Sequence, residues 1–417
     1  MRIRKTNLLL TDQPAPPVQL LLVLWGIGLA TSRVIFGLNL SLTTVFLPIL
    51  LLVIFLSYGR KIKFDGMDLF LGFIGVYSLV VSTMLIPILV PGGHVDTDVV
   101  VKYLITIIYF FIAQQLPSSA IKTIFKVFVY FNVIIAVIGI VGALTGASGF
   151  LSFMYMPDSE RFFGLMNDPN YFSLIQAVSV CIVIAAEIKF RHPFVLNVLL
   201  IISMLLSGSK TAMIVAAALV AIIFIKWAVN HLSTLYRFCL FLLPVICLGI
   251  LLYITKQLWF PAVQDWGNGL LDQSPIIQRL MELFEPDAFN SSGSSRTGAW
   301  ETGIRIIQAV HGLGLGMTDY LVASQSLFDV PVLSHNTFLQ LMAQWGIGLT
   351  VIFFVWLAVQ MFQSLRLQKL FARTLLLVIV VILIYFVALS LNNSALVWFV
   401  FGMLFSQRED SSSKCLN

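Results

Sequence analysis

The sequence predicts an all-α integral membrane protein: about 12 transmembrane helices with one large extracytoplasmic loop containing short helices. Three observations predict it. Hydrophobic residues fill 59% of the 417 positions and charged residues only 11%, where soluble domains carry about 25% charged residues. Apolar runs long enough to cross a hydrocarbon core of about 30 Å recur along the chain. One long stretch alone, 256–335, is too polar and too broken to cross it.

Taken in order, Arg2, Arg4 and Lys5 precede a long apolar run. The intervening Asp12-Gln13-Pro14-Ala15-Pro16-Pro17 and the length of the apolar run after it predict a retained first helix rather than a signal peptide. Spans are predicted at 18–36, 40–58, 67–90, 100–116, 120–146, 169–186, 193–206, 211–228 and 236–255. After the polar stretch come 336–361, 374–391 and 393–406. The chain thus divides into 1–255 (helices one to nine), 256–335 (the outer loop) and 336–417 (three helices and a cytoplasmic tail). Inside the loop, Ser274-Pro275 starts a short helix through Glu285, and Ser294 or Ser295 starts a second through about Val310. No fixed-period repeat is visible.

Basic residues set the orientation. With the N-terminus in the cytoplasm, 17 of the 25 Lys and Arg residues fall on the cytoplasmic side, as positive charge prefers. The loop 256–335 then faces out, together with 91–99, 147–168 and 207–210, and both termini face in. The net charge of +6 sits in short clusters between apolar runs, which suits orientation signals and argues against a nucleic-acid partner. Cys181, Cys239, Cys247 and Cys415 avoid the outer loop, so neither a disulfide nor a metal cluster is expected there.

Four constellations break the apolar background. In Arg161-Phe162-Phe163-Gly164-Leu165-Met166-Asn167-Asp168-Pro169-Asn170, Asp168-Pro169 marks a helix start at the outer surface with Arg161 just above it. Asp168 and Asn170 either cap that helix or serve a ligand, and Asp158 or Glu160 could pair with Arg161. Ser207-Gly208-Ser209-Lys210-Thr211 is a tight outside turn, not a phosphate loop, since Met204 stands where that motif needs glycine and no strand precedes it. A helix N-terminus with a cation still suits a phosphate. A plain turn with a snorkelling lysine is the alternative.

In the outer loop, Glu301 and Arg305 are four apart and can pair, which leaves Arg296 in a first helical turn, opposing the helix dipole. Gly312-Leu313-Gly314-Leu315-Gly316 comes next, read as close backbone turning rather than a nucleotide motif. Ser334-His335-Asn336 then opens the next helix, where Asn336, Gln340 and Gln344 recur every four residues on one face. Such a stripe either bonds to another helix or lines a wet cavity. His335 sits where it meets the outside and either caps the helix or accepts a proton near neutral pH.

In this order the four constellations resemble the bacterial O-antigen polymerase and ligase superfamily, over about 155–360. The matching residues are Arg161, Gly164 and Asp168-Pro169-Asn170; Ser207-Gly208-Ser209-Lys210-Thr211; Ser295-Arg296, Trp300 and the glycine run; and His335-Asn336, Leu339 and Trp345-Gly346. The resemblance implies a glycosyltransferase of the bacterial plasma membrane that needs no metal and no cofactor. Its donor is a polyprenyl-diphosphate-linked glycan. Its acceptor is another glycan in a polymerase or the lipid A core in a ligase. Membrane lipids, a chain-length regulator and a flippase are the further partners implied. Arginines near the outer surface would hold the diphosphate, and the loop histidine would act on the acceptor hydroxyl. On this reading His335 and Arg296 are catalytic, and Arg161, Lys210 and Arg296 bind the diphosphate. Asp168, Asn170, Ser209, Asn336 and Gln340 support them. Many members carry arginine where this chain has Lys210, which keeps the charge but loses the bidentate fork. A repeat-unit polymerase is the first expectation and a ligase the second. A polysaccharide or lipid flippase is the third, weakened because neither inverted repeats nor interrupted midplane helices stand out.

Overall fold

The computed structural model describes residues 16–31, 42–58, 64–145, 151–156, 161–231, 296–366 and 371–405. Within them every named element is a helix, apart from an isolated antiparallel bridge between Tyr155 and Phe162. In chain order these are α1 (Pro16–Leu29), α2 (Leu42–Tyr58), α3 (Gly66–Val80), a π-helical turn (Val81–Leu85) and α4 (Ile86–Leu89). Then come α5 (Thr97–Gln115), α6 (Ser118–Thr145), α7 (Pro169–Ala185), α8 (Pro193–Leu206) and α9 (Lys210–His231). The rest are α10 (Arg296–Ala309), α11 (Tyr320–Phe328), α12 (Thr337–Trp345), α13 (Ile347–Arg366), α14 (Ala372–Phe386) and α15 (Ala395–Leu404). Among the described residues, five helices are long and apolar enough to cross a membrane: Gly66–Leu89, Thr97–Gln115, Ser118–Thr145, Lys210–Val229 and Ile347–Arg366. The expected span 236–255, the first helical cue of the loop and the remainder of 256–295 lie outside the described residues.

The chain divides into two compact units: Met1–Asn132 with Ala185–Arg191 and Ser294–Asn417, and Val133–Ile184 with His192–Gly293. In the first, α15 is buried along its length against α5. Gly402 permits the approach, because a Cβ there would lie 2.1 Å from the Phe110 carbonyl oxygen. Small residues let membrane helices come this close. Trp398 then packs among Phe110, Trp345, Phe353 and Phe401. In the second unit, α7 is buried on nearly every residue, the polar Ser173, Gln176 and Ser179 included.

Two departures from the sequence reading concern the first unit. The stretch expected as one span at 336–361 is two helices, α12 and α13, parted at Gly346. Gly346 has φ +86°, and a Cβ on it would meet the carbonyl oxygens of Leu313 and Gly312 at 2.7 and 2.8 Å. The break exists because the glycine run crosses there: Leu315 and Gly316 donate to the carbonyls of Ala343 and Gln344, and Ile347 donates to that of Gly312. The polar stripe therefore lies on the short α12, and the long apolar helix starts only at Ile347. Second, the loop holds a helix the sequence reading lacked: α11, capped by the Asp319 carboxylate, which accepts from the N–H groups of Leu321 and Val322. One apolar core (Val81, Ile86, Ile306, Val310, Leu315, Tyr320 and Ala343 among it) joins the end of α3, α4, α10, α11 and α12. The glycine run reaches the π-helical turn as well: the Ser82 hydroxyl donates to Leu315 O and accepts from Met317 N–H. Pro87 comes just after that turn, has no N–H for the Thr83 carbonyl, and so favours the wider turn at this place.

Candidate functional site

Two of the four constellations meet within the second unit. Phe162 is fully buried, with its ring against Tyr155 and Phe172, and Gly139 leaves it room. Its backbone N–H donates to Leu206 O at the end of α8. This anchor delivers the neighbouring Arg161, half-buried, to the turn that joins α8 to α9. Arg161 Nε donates to Ser207 O at 2.8 Å, and Nη2 donates to Asn170 Oδ1 at 3.2 Å. The guanidinium thus ties the start of α7 to the turn that joins α8 to α9. Asp168 Oδ1 accepts from the N–H groups of Asn170 and Tyr171 at 2.7 and 3.0 Å, the capping role weighed from the sequence. Asn170 Nδ2 donates to Asp168 Oδ2 at 3.4 Å, which turns its amide oxygen toward Arg161.

The turn itself is built from its own hydroxyls. Ser207 Oγ donates to Met204 O and accepts from Ser209 N–H. Gly208 takes φ +59°, and Ser209 Oγ accepts from Ala212 N–H as the cap of α9. Ser209 is buried and acts on the helix start, while Lys210, half-buried, opens the first turn of α9. Asp158 and Glu160, weighed as partners of Arg161, lie outside the described residues.

The other two constellations meet within the first unit. Arg296 is the first residue of α10 and is half-buried. Glu301 and Arg305 pair at 2.6 Å on its exposed side, as their spacing predicts. Gly303 packs against the segment before α12: a Cβ on it would lie 3.2 Å from the Tyr320 hydroxyl and 3.5 Å from Ser334 Cβ. Arg296 is seven residues before Gly303, hence on the same face and about 10 Å along the axis. Burial pushes the Tyr320 phenol up to about 12, with the Ser334 hydroxyl pulling part-way back, so Tyr320 stays a neutral wedge between α10 and Ser334.

Ser334 shapes the turn that carries the histidine. It is fully buried, its Oγ donates to Asn336 O at 2.9 Å, and it accepts from Asn336 N–H at 3.4 Å. Asn336 Oδ1 in turn accepts from Leu339 N–H and caps α12. Between these two buried residues His335 is exposed and takes φ +46°, a left-handed backbone uncommon for a residue with a Cβ. Asn336, Gln340 and Gln344 are all buried on one face of α12. Gln344 Oε1 accepts from Asn392 Nδ2 at 3.0 Å, so at that end the stripe bonds to protein.

Sequence reasoning missed the partner of that stripe. The segment Ser390-Leu391-Asn392-Asn393-Ser394, between α14 and α15, lies against α12. The Thr337 hydroxyl donates to Leu389 O at 2.6 Å and accepts from Leu391 N–H at 2.9 Å. The signal was present: five residues, four of them polar, between two apolar helices.

No curated protein matches the chain. The family described as O-antigen ligase matches residues 195–354, a stretch that contains Lys210, Arg296, His335, Asn336 and Gln340 and leaves out Arg161, Asp168 and Asn170. The match makes residues 195–354 similar to that family and supports a relation of this stretch to the O-antigen polymerase and ligase superfamily.

Proposed function

We propose that the chain joins polyprenyl-diphosphate-linked oligosaccharide repeat units into a surface polysaccharide on the outer face of the plasma membrane. The family match across Lys210, Arg296 and His335 carries this reading. Arg296, Arg161 and Lys210 hold the donor diphosphate. Cations at that place act most strongly as the leaving group gains charge, so their contribution falls in the transition state. The acceptor hydroxyl oxygen attacks the anomeric carbon, and the bond from that carbon to the diphosphate oxygen breaks. The diphosphate leaves with the bonding electrons, and the hydroxyl proton passes to the His335 imidazole. A single displacement of this kind inverts the anomeric configuration. Asn336 supports the reaction through the turn it caps, and Asp168, Asn170 and Ser209 through the helix starts and the guanidinium they fix.

Arg296→Ala and His335→Ala, each expressed in cells lacking the native chain, should abolish long-chain polymer while the protein remains in the membrane at its normal level. Polymer of ordinary length from His335→Ala would remove the histidine from proton transfer. The same cells separate polymerase from ligase. Single repeat units at the surface of a strain without this chain support the polymerase; lipid-linked polymer accumulating with no long chains on the core supports the ligase.

A further inference from the structure

We propose that the segment 390–394 and the facing side of α12 form the subsite for uncharged sugar, through Asn393 and Gln340, beside His335. This rests on the glycosyl-transfer reading and names the part of the substrate that the first unit receives. Placement is the first argument. The two hydrogen bonds of the Thr337 hydroxyl, to Leu389 O and from Leu391 N–H, fix this segment two residues from His335. The Gln344–Asn392 bond fixes it again two turns along the helix. Gln340 lies between those two attachments on the same face, three residues from Thr337 and four from Gln344.

Chemistry is the second argument. No ionisable side chain occurs in 336–345 or 387–395. Such a wall offers no cation to a diphosphate, and its amides and hydroxyls are groups that read sugar hydroxyls. Satisfaction is the third. Most polar groups here are met: Trp398 Nε1 donates to Asn392 O at 2.6 Å, and Ser394 Oγ accepts from Val397 N–H at 3.4 Å. Gln340 Oε1 and Ser390 Oγ are the exceptions, buried and without a hydrogen-bond partner among the described residues. A buried polar atom left unmet is costly, so two in one wall mark a place completed by something besides these side chains. Asn393 and His335 are both exposed and present the first contacts.

The test uses the purified full chain in lipid nanodiscs and two probes. One is the repeat-unit oligosaccharide freed by mild acid from the lipid-linked precursor of cells that make this glycan. The other is polyprenyl diphosphate without sugar. Asn393→Ala should weaken oligosaccharide binding at least tenfold and leave diphosphate binding unchanged. Asn393 is exposed, so this change should not disturb folding. Gln340→Leu should weaken oligosaccharide binding likewise without lowering the melting temperature. Oligosaccharide held equally by wild type and both variants overturns the subsite, as does a wild type that binds the diphosphate probe but no oligosaccharide. A wild type that binds neither overturns the subsite and the transferase reading together.

Discussion

At the scale of single residues, the chain uses both kinds of cation where the physics differs. Arg161 is held by two directed bonds, from Nε to Ser207 O and from Nη2 to Asn170 Oδ1. A lysine has no fork with which to make both. Arg161→Lys should therefore reduce polymer formation at least tenfold with normal protein levels, which a polymer ladder beside a membrane blot would measure. Lys210 opens the first turn of α9 as a point charge. If its duty is charge toward phosphate, Lys210→Arg keeps most activity and Lys210→Gln loses it; equal loss in both, with normal folding, assigns it another duty. Ser334 bridges the turn that carries His335. Without its hydroxyl the left-handed backbone at His335 loses its brace, so Ser334→Ala should lower kcat with little change in KM, and Ser334→Thr should restore it. A fall in melting temperature with unchanged kcat would give Ser334 a purely structural role.

At the scale of elements, the glycine run shows why close approach demands glycine. Gly316 has φ +63°, and a Cβ on it would lie 2.1 Å from Ser78 O and 2.4 Å from Ser82 Oγ. Gly316→Ala should cost on the order of 3 kcal/mol from backbone strain and forced displacement together, visible as a lower melting temperature in detergent. Gly348, with nothing within 4 Å of its Cβ position, is the control: Gly348→Ala should be neutral or stabilise by up to about 1 kcal/mol. The helices themselves were largely legible. Apolar length gave α3 with α4, α5, α6 and α9, while Asp168-Pro169 gave the start of α7 and the signal at Ser294 or Ser295 that of α10. The break at Gly346 was not legible, because hydropathy runs on through it. What ends α12 is a strand of backbone, 312–316, arriving from some thirty residues earlier.

At the scale of the whole molecule, the apolar helices, together with the similarity of 195–354 to the O-antigen ligase family, support a multi-pass membrane protein. If Arg296 and His335 act on one transition state, their losses should not multiply. Residues that work as a unit are strongly non-additive. Arg296→Ala combined with His335→Ala should be no more than about threefold worse than the more damaging single change, in polymer formed per unit of membrane protein. Full multiplication of the two losses would assign them independent tasks.

The sequence by itself determined the solvent, the helical class and the residue types of the candidate site. Those depend on composition and short spacing: lipid demands apolar helices, and a cation or imidazole stands out against so apolar a chain. Only the tertiary structure decided what each of those residues touches. Arg161 meets Ser207 across 46 positions, and Thr337 meets Leu389 across 52. Hydrogen-bond partners so far apart in sequence are chosen by how helices pack, and packing leaves no local mark. The segment 390–394 went unnoticed for that reason, since its polarity means little until α12 is laid against it.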